Sequence, residues 1–268
     1  MADSELVEVQ AADEPIIRFC GVNKSFGPKV VYEDLNLEVF KGETLTVIGG
    51  SGLGKSVMLK MLIRLLSCDS GSIQAFGDEV TTLDNAGLLR LRRRIAMLFQ
   101  GAALFDSLTV AENIKYPLIE HGWGNREQMD ARVTEVLEMV GLPGTQQLKP
   151  SELSGGMKKR VGLARAIAVQ PEVILYDEPT TGLDPLNVRR INGLILGLQK
   201  RLGVTSIVVT HDMDSCFTVT DRIAFLHDRK MSWVGTKEEA LASDFPPLRE
   251  FVQGGRGVLN DDAVLREG

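Results

Sequence analysis

Two short runs of this sequence place residues at spacings that suit phosphate and metal chemistry. The first, GGSGLGKS from Gly49 to Ser56, fits G-x-x-x-x-G-K-[ST], with a strand-like run before it and a predicted helix after it. Glycines allow a tight turn whose N–H groups point at phosphate oxygens, and the helix N-terminus adds partial positive charge. Lys55 is expected to reach the β- and γ-phosphates, and Ser56 to bind Mg²⁺. The residues predicted to bind a nucleotide in this loop are Gly49, Gly50, Ser51, Gly52, Gly54, Lys55, Ser56 and Val57.

The second run is an acidic pair, Asp177 and Glu178, directly after the apolar stretch from Val173 to Tyr176. The carboxyl end of a strand is where open α/β sheets bind ligands. Asp177 can hold Mg²⁺ through water, and Glu178 can accept a proton from an attacking water molecule. An acidic pair after a strand is more often a cap or a solvated turn. The assignment therefore depends on the glycine-rich loop in the same chain.

A second glycine-rich stretch, from Ser154 to Gly156, repeats part of the first pattern. Ser154 suits the N-cap of the helix predicted for MKKRVGLARAIAV, so free N–H groups and the helix dipole would face an anion. The basic triplet Lys158 to Arg160 follows, and at least two of its members are expected on a solvated face. The chain thus predicts two anion sites, which a single nucleotide pocket does not require.

Alternating apolar runs predict the framework that must position these residues. Strand-like runs at 172–179, 205–212 and 222–228 alternate with helical ones, one of which opens at Asp184 and Pro185. Strands and helices in alternation predict a mainly parallel sheet covered by helices.

The first half of the chain predicts further strands, followed by a stretch in which helical patterns replace strand patterns. RRIAMLFQ is predicted to be a strand ending at Gln100, and GSIQAFGDEV a strand pair with a turn at Gly77 and Asp78. No convincing strand occurs between about 101 and 165, where MDARVTEVLEMVGL is amphipathic at helical spacing. We predict a mostly helical insertion there.

Composition narrows the class of protein. The 268 residues carry a net charge of −6, which argues against nucleic acid as a partner. Three widely spaced cysteines predict reduced, mostly buried thiols, and the three histidines lack metal-ligand spacing. The acidic N-terminus lacks the features of a secretory signal, and no apolar window is long enough to span a membrane.

Taken together, the motifs resemble those of ATP-binding cassette (ABC) ATPases, in the family's order, from about Ile16 to Gly235. LSGGM, beginning at Leu153, resembles the LSGG signature, and the first glycine-rich loop resembles Walker A. The other matching positions are Phe26 (aromatic A-loop), Gln100 (Q-loop), Asp177 and Glu178 (Walker B and catalytic glutamate), Asp184 (D-loop) and His211 (switch histidine).

The resemblance implies an α/β fold: a P-loop NTPase (RecA-like) core with a mainly parallel sheet, plus an inserted α-helical ABC subdomain. The implied nucleotide-binding core covers 16–100 and 166–240, and the helical signature subdomain covers 101–165. A flexible acidic arm would occupy 1–15, and a C-terminal extension 241–268.

The resemblance also implies ATP and Mg²⁺ as cofactors and a homodimer as the working form. Family subunits pair head to tail around two ATP molecules. Ser154, Gly155 and Gly156 of one chain would therefore close over the nucleotide held by the other, which accounts for the second anion site. The implied catalytic residues are Glu178, His211 and Gln100, and the implied metal-binding residues are Ser56, Gln100 and Asp177.

Three positions depart from the family pattern. Gly50 stands where proline is common, Val57 where a second hydroxyl is usual, and Met157 where glutamine is commoner. Loss of one neutral hydrogen bond at Val57 would cost about 0.5–1.5 kcal/mol, so we expect weakened nucleotide binding at most.

Two longer stretches, FQGAALFDSLTVAENIKYPL and PSELSGGMKKRVGLARAIAVQPEVILYDEPTTGLDP, resemble the ATPases of mammalian-cell-entry (Mce) lipid transporters, including the Mla systems of Gram-negative bacteria. This likeness implies a peripheral protein on the cytoplasmic side of the inner membrane. Its implied partners are a permease dimer, an Mce-domain lipid-binding protein and, in some members, a small STAS-domain protein.

Apolar residues after Gln100 could receive a permease helix, although most of them suit the core of the helical subdomain equally well. Phe105 and Tyr116 are our candidates for that contact. In the C-terminal extension, Leu248, Phe251 and Val252 could form one short apolar face, either against the neighbouring ATPase or in a frayed tail.

Three other readings remain open at this stage. An ATPase of a polar-solute importer shares every ATP motif, and only the flanks of Gln100 and of the signature favour lipid. A soluble ABC protein acting on ribosomes or DNA usually has two cassettes or a long coiled-coil insertion, and neither is present here. A binding module without catalysis is disfavoured by Glu178 and His211.

Overall fold

The computed structural model describes residues 14–255. Most of the predicted acidic arm and the end of the C-terminal extension lie outside these residues. The ten strands within them are β1 Ile17–Phe26, β2 Lys29–Val39, β3 Thr44–Ile48, β4 Ser70–Ala75, β5 Asp78–Glu79, β6 Ile95–Leu98, β7 Val173–Asp177, β8 Thr205–Val209, β9 Arg222–His227 and β10 Lys230–Thr236. The nine α-helices in the same range are α1 Lys55–Leu62, α2 Asn85–Arg94, α3 Val110–Glu120, α4 Arg126–Met139, α5 Gly155–Ala168, α6 Pro185–Leu202, α7 Met213–Val219, α8 Lys237–Ala242 and α9 Pro246–Gly255.

A six-stranded sheet in the order β10-β9-β3-β8-β7-β6 forms the centre of the molecule. The five strands from β9 to β6 run parallel, and β10 pairs with β9 in the antiparallel direction. Both faces of this sheet are buried. Val173 and Leu175 of β7 pack into one apolar cluster, whereas Ile174 and Tyr176 pack into another on the opposite face. The predicted mainly parallel sheet is confirmed.

A separate four-stranded antiparallel sheet, ordered β2-β1-β4-β5, was not predicted as a sheet of its own. The predicted turn in this region is wrong by one residue. Phe76 and Gly77 form the turn, both with positive φ, and Asp78 already pairs with Ala75 as the first residue of β5. A left-handed conformation is rare for phenylalanine, which is why the sequence favoured the glycine–aspartate pair.

Helices α3, α4 and α5 pack together beside the parallel sheet and share an apolar cluster with β7 and β8. The stretch from 101 to 165 contains no strand, as predicted. However, α5 continues to Ala168, so no break in structure occurs at residue 165. The division of the chain into a core and a signature subdomain stays a proposal.

The starts of the functionally interesting helices follow side-chain chemistry. Ser154 Oγ accepts a hydrogen bond from the Met157 N–H at 3.3 Å and caps α5. Asp184 Oδ1 accepts from the N–H groups of Leu186 and Asn187, both at 3.0 Å, and caps α6. Both helix starts were predicted, because serine and aspartate are strong N-caps.

The C-terminal part of the chain packs onto the end of the parallel sheet. In α9, Leu248 and Val252 are buried and Phe251 packs against the same cluster, so the predicted apolar face is confirmed. The expectation that the thiols are mostly buried is wrong, because only Cys216 is buried and Cys20 and Cys68 are half-buried. Among residues 14–255, no helix combines the length and hydrophobicity needed to cross a membrane.

Candidate functional site

The first glycine-rich loop connects β3 to α1, at the carboxyl edge of the parallel sheet. Lys55 opens α1, and its Nζ donates to the carbonyl oxygens of Gly49 at 2.7 Å and Gly50 at 3.1 Å. Burial lowers the pKa of Lys55, and the carboxylates of Glu178 and Asp177 oppose that shift. The loop therefore holds a buried ammonium group at the point where strand meets helix, which is the position needed to contact a phosphate.

Two glycines of this loop are required by its shape. Gly49 has φ 150°, and a Cβ there would lie 2.5 Å from the Leu226 carbonyl oxygen. Gly54 has φ 103°, and a Cβ there would lie 2.4 Å from Val31 Cγ1. The Tyr32 hydroxyl also donates to the Gly54 carbonyl, so strand β2 braces the loop from outside.

A Gly54→Ala substitution should lower the free energy of unfolding by about 2–4 kcal/mol, from backbone strain and from the clash with Val31. Gly52→Ala is the matched control. Gly52 also has positive φ, at 75°, but a Cβ there would meet nothing within 4 Å. Its cost should be limited to about 1–2 kcal/mol of backbone strain. Urea unfolding without nucleotide measures both values, and equal losses would contradict the steric explanation.

The acidic pair lies across from this loop, at the end of β7. Ser56 Oγ donates to Asp177 Oδ1 at 2.5 Å, which joins the two candidate metal residues directly. Burial raises the pKa of Asp177, and the bond from Ser56 opposes that shift. A hydroxyl and a carboxylate are hard oxygen ligands of the kind Mg²⁺ prefers, so these two residues fit that ion.

Glu178 is held in an uncommon conformation beside His211. Its φ is 48°, in the left-handed region, and its N–H donates to the Val209 carbonyl at 2.9 Å. His211 Nδ1 lies 2.8 Å from Glu178 Oε2, and Thr181 Oγ1 donates to the same oxygen at 2.9 Å. Non-glycine residues with positive φ cluster at functional sites, where the surroundings maintain the strain. The carboxylate is thereby fixed from several directions.

A cavity of about 370 Å³ joins these groups. Its lining consists of Ser51, Gly52, Gly54, Lys55, Ser56, Val57, Gln100, Glu178 and His211, all of them predicted site residues. A larger cavity of about 700 Å³ opens at the opposite edge of the parallel sheet, near Arg94, Glu172 and Thr205. Arg94 and Glu172 already pair with each other, with Arg94 Nε 2.5 Å from Glu172 Oε1. Only the smaller cavity combines a buried cation, acidic groups and a glycine-rich loop.

The predicted residues outside that lining are Gly49, Gly50 and Asp177, which are hydrogen-bonded to lining residues, together with Phe26, Ser154, Gly155, Gly156 and Asp184. Phe26 is at the end of β1, 45% exposed, with Lys24 Nζ 5.0 Å from its ring centre, so the alternative that it belongs to the core is wrong. Ser154 and Gly155 are exposed at the start of α5. Asp184 contacts its own helix, α6.

The signature glycines pack against the start of α6. A Cβ on Gly156 would lie 2.6 Å from Asn187 Oδ1, whereas a Cβ on Gly155 would meet only Leu183 Cδ2 at 3.8 Å. Gly156 is therefore closely packed within the chain, and a Cβ there would have to displace the Asn187 side chain. Gly155 is not closely packed, so any requirement for glycine there must come from something outside this chain.

The prediction that Gln100 is the last residue of β6 is wrong, because the strand ends at Leu98. The chain turns after Leu98, and the Ala102 N–H donates to the Phe99 carbonyl at 2.8 Å. Gln100 thus lies in a turn that leads into the helical layer. Farther on, Phe105 and Tyr116 are 44% and 45% exposed, with ring centres 4.9 Å apart, and form a small aromatic surface patch.

The basic triplet departs from its predicted solvated face. Lys159 is buried and donates to the backbone carbonyls of Gln100 and Glu178. Arg160 donates to the carbonyls of Val140 and Gly141. Sequence reasoning missed Lys159, although it lies three residues after the buried Gly156 and four before the buried Leu163. That spacing marks the inward face of a helix.

Comparison with known proteins agrees with this geometry. The sequence profile described as ABC transporter matches residues 32–181. The protein named intermembrane phospholipid transport system ATP-binding protein MlaF of Haemophilus influenzae is 40% identical over 228 residues, covering 85% of this chain and 86% of the relative. The protein named probable ribonucleotide transport ATP-binding protein mkl of Mycobacterium leprae is 39% identical over 236 residues, covering 88% of this chain and 68% of the relative.

Solved structures of the same kind superpose well. The dimeric, post-hydrolysis ATP-binding cassette MJ0796, bound to ADP and phosphate, gives a TM-score of 0.76 at 32% identity, covering 82% of this chain and 98% of that one. CbiO1 of Clostridium perfringens, part of the ABC transporter complex cbiONQ, gives a TM-score of 0.78 at 26% identity, covering 89% of this chain and 95% of that one. The chain therefore belongs to the ABC transporter family, as an ATP-binding subunit that hydrolyses ATP.

Proposed function

We propose that this chain drives the transport of phospholipid, or a related lipid, between membranes by hydrolysing ATP. The observation that carries the proposal is the likeness to the relatives named MlaF, which extends over most of both chains at 40% identity in Haemophilus influenzae and 36% in Escherichia coli. The two stretches that flank Gln100 and the signature also resemble lipid-transport ATPases.

Within one subunit, the residues of the small cavity divide the chemistry of hydrolysis. Lys55 and the loop N–H groups bind the phosphates, and Phe26 stacks on the adenine ring. Ser56, Asp177 and Gln100 would hold Mg²⁺, which neutralises phosphate charge when bound. Glu178 accepts a proton from the attacking water, and His211 keeps the Glu178 carboxylate oriented from 2.8 Å away.

Between subunits, two chains pair head to tail. Ser154, Gly155 and Gly156 of each chain close over the nucleotide held by the other, and Asp184 lies at the same contact. The exposure of Ser154 and Gly155 supports this arrangement, as do the solved relatives described as dimeric. ATP binding then favours the closed dimer, and hydrolysis permits reopening.

The dimer works on the cytoplasmic side of the inner membrane, against an integral permease dimer. Gln100 lines the nucleotide cavity and precedes Phe105 of the aromatic patch by five residues in the chain, so contacts of the patch with the permease can affect the site of hydrolysis. An Mce-domain protein would carry the lipid, and a small STAS-domain protein is a further proposed partner.

A second candidate function is the import of a polar solute. The observation that favours it is the relative named for ribonucleotide transport, which is 39% identical to this chain. The ATP site would be the same in either case, because only the permease and the binding protein select what is moved.

The two candidates differ in what accompanies the chain in the membrane. We would tag the chain at its native level, purify it from membranes in mild detergent, and identify the proteins and lipids that come with it by mass spectrometry. A multispan permease, an Mce-domain protein and phospholipid are the expected result. A permease accompanied by a receptor for a polar solute would contradict the lipid assignment. Ribosomal proteins without a permease would contradict the transporter assignment.

A further inference from the structure

Lys159 of α5 connects two parts of the site that no other described contact joins directly. Its Nζ donates to the backbone carbonyl of Glu178 at 3.1 Å and to the backbone carbonyl of Gln100. The side chain is 5% exposed, and burial lowers the pKa of the ammonium group, while Asp177 and Glu178 oppose that shift. A buried lysine is costly unless it is paired and hydrogen-bonded, so these contacts compensate for its burial.

Both of the carbonyls belong to strained or irregular backbone. Glu178 has φ 48°, and the loop after Gln100 contains Ala102 and Ala103 with φ 61° and 47°. Residues held in such conformations cost about 1–3 kcal/mol each and persist only when their surroundings fix them. Lys159 supplies one of these fixing contacts to each segment at the same time.

We propose that Lys159 is a positioning residue for ATP hydrolysis. It sets the backbone of Glu178, and therefore the place of the Glu178 carboxylate, relative to Gln100 and to the signature helix α5. If a membrane partner displaces the Gln100 loop, the Glu178 carboxylate of the same subunit shifts as well, because the Lys159 ammonium group is bonded to both segments. This inference rests on the roles proposed above for Glu178 and Gln100.

Arg165 is a natural control on the same helix. Its guanidinium donates to the carbonyls of Ala102 at 2.7 Å and Ala103 at 2.8 Å, so it fixes the same loop. None of its described bonds reaches Glu178. A purely structural role for cations on α5 would make Lys159 and Arg165 equivalent, whereas positioning of Glu178 would not.

The test measures ATP hydrolysis by the membrane complex purified through a tag on this chain. Lys159→Met should lower kcat about 10-fold, because small misplacements of a catalytic group are costly, while KM for ATP stays within about 2-fold. Lys159→Arg, which keeps a charged donor, should recover most of kcat. Arg165→Met should leave kcat within about 2-fold of the parent protein. Thermal unfolding of each variant identifies any that fail to fold.

Each outcome bears on the proposal. An unchanged kcat in folded Lys159→Met overturns it, as does an equal loss in Arg165→Met or a change confined to KM. If Lys159→Met does not fold, Lys159→Gln replaces it, and the same loss of kcat at constant KM is expected. Glu178→Gln in the same preparation separates the two levels of inference. Full activity there would refute the proposed role of Glu178 itself, whereas loss there with an active Lys159→Met refutes only the role of Lys159.

Discussion

Glu178→Gln should hydrolyse ATP about 10²–10⁴-fold more slowly than the parent protein, which is the contribution of a general base. Glutamine matches glutamate in shape and can still contact His211 and Thr181, which lie 2.8 Å and 2.9 Å from Oε2. Its amide, however, cannot accept a proton from water. The site is therefore expected to keep its structure and its affinity for ATP while losing the chemical step. Phosphate release and nucleotide-binding titrations measure the two properties separately.

Glu172→Gln is the matched control, because it makes the same chemical change next to the opposite end of β7. Glu172 is half exposed and pairs with Arg94 at the surface, 2.5 Å from Arg94 Nε. Surface ion pairs contribute little to stability, so activity should be unaffected. A comparable loss in both variants, or hydrolysis retained by Glu178→Gln, would show that Glu178 is not the base.

The same Glu178→Gln variant should accumulate as a dimer in millimolar ATP. If ATP binding closes the dimer and hydrolysis reopens it, a protein that binds ATP without hydrolysing it remains closed. Chemical cross-linking between the two copies of the chain in the membrane-purified complex, with and without ATP, reports this state, because the permease dimer holds both copies whether or not they have closed. Cross-linking of the variant that does not increase at saturating ATP would contradict the closing step.

Local patterns in the sequence predicted the residues that line the small cavity. A strand, a glycine-rich turn and a helix that starts at Lys55 are consecutive in the chain. One short stretch of sequence therefore determines the shape of the phosphate-binding loop. Asp177 was predictable for a related reason, because parallel strands bring their carboxyl ends to one edge of a sheet. The bond between Ser56 and Asp177 connects two such local predictions.

The features that sequence reasoning missed depend on contacts between distant segments. The antiparallel sheet requires β1 to pair with β4, and Phe19 faces Ile73 there, a partner that no local window identifies. At least two residues of the basic triplet were expected on a solvated face, but Lys159 is buried, and its burial depends on the carbonyls of Gln100 and Glu178, which follow β6 and β7. Tertiary contacts of this kind decide the fate of a polar side chain more than its immediate neighbours in sequence do.

Mixed dimers should show whether the signature loop serves the neighbouring subunit. Lys55→Met removes the buried ammonium group of the phosphate loop. Gly155→Asp adds a carboxylate to an exposed position where a Cβ meets only Leu183, and an acidic residue at a helix N-terminus is favourable. The second substitution therefore leaves its own chain folded but repels phosphate bound opposite it. Either substitution on both chains should reduce hydrolysis to background.

The arrangement of the two substitutions in a dimer is what separates the models. In a head-to-tail dimer, one chain with Lys55→Met and another with Gly155→Asp combine both defects in one site and leave the second site intact. Placing both substitutions on one chain, beside an unaltered partner, leaves one defect in each site. If the signature instead served its own chain, the second arrangement would contain the intact site and the first would contain none.

Dimers with two different affinity tags, purified over both tags in sequence, allow the two arrangements to be assayed without homodimers. We expect hydrolysis when the substitutions are on different chains and background activity when they are on the same chain. The opposite order, or equal activities, would refute a shared site. The comparison does not depend on how much each substitution weakens a site, because both dimers contain the same two altered residues and differ only in which chain carries them.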